Sequence, residues 1–274
     1  MKPKETINLY RVISLLVIAL VTFGVMGGLG AKSHLYPDEW LSMFFLTLIF
    51  LLVCIFELEY ERKQKGISAN TQTTFIRLSV TYTVSGGLIY AISYLPEFYR
   101  PVMIPVILLT AVSNSMVAVS FGLFFDLVLA LTVGGSFYAL AAYMMLTMLA
   151  AVLAQALKEK KYRMGVSLLT FFFSLMIPEL FSYLSTKEMQ KYSLLYAFGT
   201  AFLIFLTAAF LFHRLLHEAD QEIENHLLDI VSEDYSEVKA LKDFSMVEYR
   251  HAVKVSDIAC RCAKEVGYRA NLCL

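Results

Sequence analysis

A chain of 274 residues that is 58% hydrophobic and 17% charged, with a mean hydropathy of +0.63, has too little charge to surround a water-soluble core of its own size. Its 23 basic and 23 acidic side chains sum to zero, so no overall field draws it to nucleic acid or another polyanion. Cys54 lies inside an apolar run, and Cys260, Cys262 and Cys273 have neither disulfide-framework nor metal-pair spacing; they read as thiols in a reducing compartment.

Met1 to Arg11 is polar and basic, and the apolar run Val12–Gly30 follows at once. The order is that of a secretory signal, but the run exceeds the ~7–15 residues of a signal core, and Leu29 fits poorly three positions from a cut after Ala31. It is expected to remain as a first span. Trp40–Phe56 follows, its leading tryptophan suited to the membrane interface. Beyond the polar stretch Glu57–Thr74, Phe75–Leu95 is a third span, with Arg77 near enough to its start to reach back toward the basic loop. Pro101–Val133 suits either one kinked span or two short ones parted near Ser113-Asn114-Ser115. Ser136–Leu157 and Gly165–Leu184 flank the most basic loop, Lys158–Arg163, and Ser193–Phe212 is the last span.

Charge bias chooses between the two readings of Pro101–Val133, because lysine and arginine concentrate in cytosolic loops. With the N-terminus inside, Lys158–Arg163 is inside only if Pro101–Val133 crosses twice. The result is about eight spans in the cell inner membrane with both termini cytosolic. Loops assigned inside, with the N-terminus, carry ten basic residues, while those outside carry Lys32, Arg100, Lys187 and Lys191.

Within the membrane the ionisable candidates are Asp126 and Glu179, the latter beside Pro178. Facing one another, they would make a cation or proton site of the kind a transporter uses. Taken singly, Asp126 lies near the outer end, where water reaches it, and Glu179 answers a backbone group freed by the proline. No repeated half or pair of broken helices adds to the transporter reading. His213 and His217 share a helix face just past the last span, but two histidines fall short of the three ligands zinc needs, and they read as interfacial residues.

From Arg214 the chain reads as a water-exposed helix in which Leu216, Ala219, Ile223, Leu227 and Ile230 form one apolar stripe. The stripe needs a partner, either the following segment or its twin in a homodimer. A further helix begins near Ser245 and runs amphipathically past Val255, Ile258 and Ala259 to Gly267.

In that helix Tyr249-Arg250-His251-Ala252-Val253-Lys254-Val255, followed by Ala259 and Val266-Gly267, resembles the opening helix of an HD-domain phosphohydrolase. Preceded by a multi-pass bundle, it resembles the seven-transmembrane HD membrane proteins of bacteria, whose best-known members hydrolyse cyclic di-AMP. Pro101 to Pro105 is similar to that family too. The resemblance implies an all-α polytopic protein: a transmembrane bundle over 1–213, a cytosolic helical linker over 214–243 and a partial all-α HD domain over 244–274. It also implies that His251 is the first ligand of a divalent metal centre, manganese or iron. The chain differs from the family in reaching Leu274 before the paired His-Asp, in having Ala252 where the family has serine, and in placing only about ten residues between Gly30 and Trp40, where members carry a large external domain. The expectation is therefore a membrane signalling protein whose parent is a metal-dependent cyclic dinucleotide phosphodiesterase, this chain holding no catalytic residue and binding no metal firmly. The alternatives are a transporter or channel, or a non-catalytic sensor or scaffold.

The topology is open to a direct test. Alkaline phosphatase fused after Arg163 is expected to be inactive; high activity there would remove the second crossing from Pro101–Val133.

Overall fold

The computed structural model describes residues 9–65, 72–133, 135–188, 192–217 and 236–265. They divide into two units, Met1–Leu216 and His217–Leu274.

In the first unit every regular element among the described residues is helical. The long ones are α1 (Leu9–Ser33), α2 (Pro37–Lys65), α3 (Gln72–Ile92), α5 (Ser115–Thr132), α6 (Phe137–Leu157), α7 (Arg163–Thr186) and α8 (Ser193–Leu206), the last prolonged through a π-turn at Thr207–Leu211 as far as His217. Each of these seven is long and apolar enough to cross a bilayer. Between α3 and α5 lie a 3₁₀ turn, Glu97–Tyr99, and α4 (Met103–Val112), whose ten residues reach ~15 Å, half of a hydrocarbon layer. Pro101–Val133 thus divides at Ser113–Asn114 as expected, but only its second piece has the length of a span. Seven such helices stand against the expected eight or so.

The helices start and stop for local reasons. Ser136 caps α6, its hydroxyl accepting the Ala139 N–H at 3.2 Å. Lys187 closes α7 in the left-handed conformation (φ 56°), its N–H bonding the Tyr183 carbonyl. Bonds between helices then fix which ends lie together. Arg11 of α1 pairs with Glu59 of α2 at 2.5 Å, and Ser14 of α1 donates to the Phe75 carbonyl of α3 at 3.4 Å. Ser113 donates to Glu61 and Ser120 to Glu57, each at 2.7 Å, and Gln155 donates to Ser115 at 2.9 Å. The start of α5 and the end of α6 therefore share the Arg11 end of the bundle. At the opposite end, Lys32 at the close of α1 bonds Ser93 just past α3.

α4 is the most enclosed element, with Val106, Ile107 and Leu109 fully buried. Beside it Phe50 stacks on Phe124 with centroids 4.2 Å apart, and Phe121 meets both Tyr82 and Phe125. Outward faces carry Leu20, Leu52, Phe56, Val152, Met176 and Leu195, exposed side chains that suit a lipid solvent. Close approach of α4, α5 and α6 rests on Gly122, where a Cβ would stand 2.5 Å from Thr147 Cγ2 and 2.8 Å from Val106 Cγ2.

The second unit contains α9 (Ser236–Phe244) and α10 (Met246–Glu265) among its described residues. The Ser245 hydroxyl accepts the Glu248 N–H at 3.3 Å, so α10 begins where its sequence predicts. Ala219, Ile223, Leu227 and Ile230 of the linker stripe lie outside the described residues, as do Val266, Gly267 and Cys273.

Gly122→Ala should destabilise the bundle by about 1–3 kcal/mol, the usual cost of overpacking, because Thr147 cannot turn aside without giving up a bond described below. Gly24→Ala, which meets nothing within 4 Å, is the matched control. Thermal unfolding in detergent is the readout, and equal midpoints for the two variants would refute the tight contact.

Candidate functional site

Most polar side chains within the spans are satisfied by their own helix. Thr22, Thr47, Thr110 and Thr132 each donate to the carbonyl four residues earlier, at 2.7–2.8 Å. Beyond them, Tyr82 of α3 meets Thr22 and Ser79 meets Ser14 of α1, and a small set of charged groups meets hydroxyls of other helices.

Asp126 on α5 is 1% exposed, and its Oδ2 accepts from the Thr147 hydroxyl of α6 at 2.7 Å. The expected wet position near a helix end is corrected: Gly122, one turn earlier on α5, lets α6 close over the carboxyl and exclude water. Glu179 on α7 is half-buried and accepts from the Tyr99 hydroxyl at 3.4 Å. No hydrogen bond or shared partner joins the two carboxylates among the described residues, and each belongs to a different contact.

The densest polar grouping surrounds the 3₁₀ turn at the Lys32 end. The Glu97 carboxylate accepts the Ser136 N–H at the start of α6, and the Tyr143 hydroxyl donates to the Glu97 carbonyl. Arg100, only 4% exposed, donates from Nη1 to the Tyr143 hydroxyl at 3.2 Å and from Nε to the Leu95 carbonyl at 3.4 Å. The Tyr99 ring stacks on Tyr196 of α8 with centroids 6.1 Å apart. Residues 95–100 thus form a strap tied to α6, α7 and α8. Along α6, Tyr143 and Thr147 are one turn apart, so one face carries the partner of Arg100 and the partner of Asp126.

At the Arg11 end, Glu57 and Glu61 lie one turn apart on α2 and accept from serines on either side of the break between α4 and α5. Glu59, between them, pairs with Arg11 and with Arg62 at 3.1 Å.

His251 is exposed on α10, with Glu248 one turn before it and Lys254 one turn after. Among the described residues no three His, Cys, Asp or Glu side chains gather at one point, so those residues do not by themselves fit a metal centre. His213 and His217 are exposed at the end of the helix that continues α8.

Sequence reasoning counted Arg100 as a loop cation and passed over Tyr143, Thr147, Glu57 and Glu61. One signal was available: Arg100 is the only charged residue between Glu97 and Asp126, and Pro101 follows it. Glu57 and Glu61 sit four apart at the end of an apolar run, another legible spacing. Compared with models of known protein families, with curated proteins and with solved structures, the chain matches none.

The bond to Asp126 can be weighed by substitution. Asp126→Asn keeps an oxygen for Thr147 and should leave thermal stability within about 1 kcal/mol of the parent, whereas Thr147→Val strips a buried carboxyl of its donor and should cost about 1–3 kcal/mol. An unchanged unfolding midpoint for Thr147→Val would show the bond to be idle.

Proposed function

We propose that the chain is a multi-pass membrane signalling protein of the HD-hydrolase type, in which the bundle is the membrane module and α10 is the first helix of an HD domain. The supporting observation is the uncovered face of α10. At about 100° per residue, Val247, His251, Val255, Ile258, Cys262 and Glu265 fall within one sector of about 80°. Val247, Val255 and Ile258 are 78%, 51% and 62% exposed, and His251 lies among them. A histidine set among exposed apolar side chains is what an HD core would cover, with further helices supplying the remaining ligands. Cyclic dinucleotide as substrate and a homodimer through the linker belong to the same reading.

The reading includes eight crossings of the inner membrane, with both termini in the cytosol. Supporting the extra crossing, Ser93 lies by Lys32 at one end of the bundle, while Ser113 lies by Glu61 at the other. The chain between them traverses the bundle as an irregular segment followed by α4. Such backbone is tolerated at membrane depth when protein encloses it. A transporter is the second reading, favoured by sealed Asp126 beside this broken crossing.

The test uses protein extended through whatever codons follow Leu274 in its gene. Manganese- or iron-dependent hydrolysis of cyclic di-AMP that His251→Ala abolishes is the expected result. An extension lacking a His-Asp pair, or turnover indifferent to His251→Ala, would overturn the enzyme reading. The 274-residue chain alone should give no turnover with either metal, since one histidine cannot replace the three or more ligands of a catalytic centre.

A further inference from the structure

Positive and negative groups at the Lys32 end are unevenly matched. Glu97 is engaged at the start of α6, where its carboxylate meets the Ser136 N–H. Arg100 finds only a carbonyl and a phenol, and no carboxylate stands within ion-pair distance of it among the described residues. Three of its five N–H groups therefore have no protein acceptor there. Lys32 is in a similar position. Its Nζ donates to the Ser93 carbonyl at 3.0 Å and hydroxyl at 3.1 Å, and lies 3.6 Å from the centre of the Tyr94 ring, again with no carboxylate in reach.

Both cations hold the same short strap. Their anchoring carbonyls, Ser93 and Leu95, are two residues apart, a separation that cannot exceed ~7 Å. The sealed polar atoms without a partner among the described residues belong to Glu57, Ser85, Arg163 and Ser167, so the unfilled nitrogen of Arg100 keeps contact with its surroundings. Tyr36 and Tyr94 are exposed at this end and Trp40 packs against Gly30, an aromatic belt of the sort that marks headgroup depth.

We propose that Arg100 and Lys32 form an anion site at the Lys32 end of the bundle that takes a phosphate group, supplied either by a phospholipid headgroup or by a soluble phosphate. A guanidinium denied a counter-ion in a low-dielectric setting needs one from outside the chain. Phosphate suits both cations, since its oxygens match the planar fork of Arg100 and accept equally from the point charge of Lys32, whose anchoring carbonyl is two residues away. At headgroup depth it is also the most abundant anion. The assignment depends neither on the signalling reading nor on which side of the membrane the Lys32 end faces.

The experiment measures thermal unfolding of the purified chain in a neutral detergent with three additions: dioleoylphosphatidylglycerol, dioleoylglycerol with the same acyl chains and no phosphate, and inorganic phosphate. The expected result is a rise in midpoint with phosphatidylglycerol or inorganic phosphate and none with dioleoylglycerol. A rise with the lipid alone assigns the site to headgroups, and a rise with inorganic phosphate assigns it to a soluble ligand. Arg100→Gln should weaken the response on the order of tenfold in half-saturating concentration, and Arg100→Lys, which keeps charge without the fork, should weaken it less. Should Arg100→Gln fail to give a monodisperse protein, Lys32→Gln, at the half-buried partner, carries the same test. No midpoint shift in the parent with either phosphate source, or a shift that survives both Arg100→Gln and Lys32→Gln, would overturn the proposal.

Discussion

Hydrocarbon offers no hydrogen bond to a backbone, and that constraint decides where the polar groups of the first unit go. Long helices meet it internally. The strap before α4 does so only in part: the Pro96, Arg100 and Pro101 carbonyls accept from backbone N–H groups, and other carbonyls of the strap take donors from side chains. Lys32 answers Ser93, Arg100 answers Leu95, and Tyr143 answers Glu97, while the Glu97 carboxylate satisfies an N–H at the start of α6. The charged residues that look misplaced in an apolar sequence are those the interrupted backbone requires. The same bonds pin α1 and α6 to the strap, so one interruption organises an entire end of the bundle.

The constraint also separates inert polar residues from informative ones. A threonine that bonds back to its own helix needs no partner elsewhere and says nothing about function. Asp126 differs, because a carboxyl has no such retreat and depends on Thr147 across a helix contact opened by Gly122. Arg100 differs more strongly, since among the described residues only two of its five N–H groups meet an acceptor. Cost in a low-dielectric medium is therefore a better guide than polarity in ranking side chains here.

The places of the seven long helices along the chain were legible in the sequence, though neither their number nor their ends, because run length against bilayer thickness needs no knowledge of neighbours. The break at Ser113–Asn114 was legible for a related reason, as two small polar residues interrupt an apolar run. The shortness of α4 was not. It depends on the turn Glu97–Tyr99 packing against α6, α7 and α8, which only the assembled bundle decides. Side-chain pairing was hidden in the same way: whether Asp126 meets water or Thr147 turns on the rotation of α5, and 18 mostly apolar residues leave that rotation unmarked. The start of α10 could be read outright, because a serine cap acts within one turn and owes nothing to tertiary structure.

α10 carries the opposite problem from the strap. Its covered side holds Ser245, Tyr249, Ser256 and Cys260, and its uncovered side holds Val247, Val255, Ile258 and Cys262 around His251, with Glu265 at the far end of the same face. Full burial of a valine or isoleucine is worth about 1.5–3 kcal/mol, so these three side chains together approach the whole stability of a small domain, roughly 5–15 kcal/mol. A cover that takes up this face must also take in an imidazole, which cannot be buried without partners for its nitrogens. A purely apolar helix would satisfy the valines and strand the histidine; water would satisfy the histidine and leave the valines bare. A partner for this face would have to be apolar against the valines and offer polar groups to the imidazole.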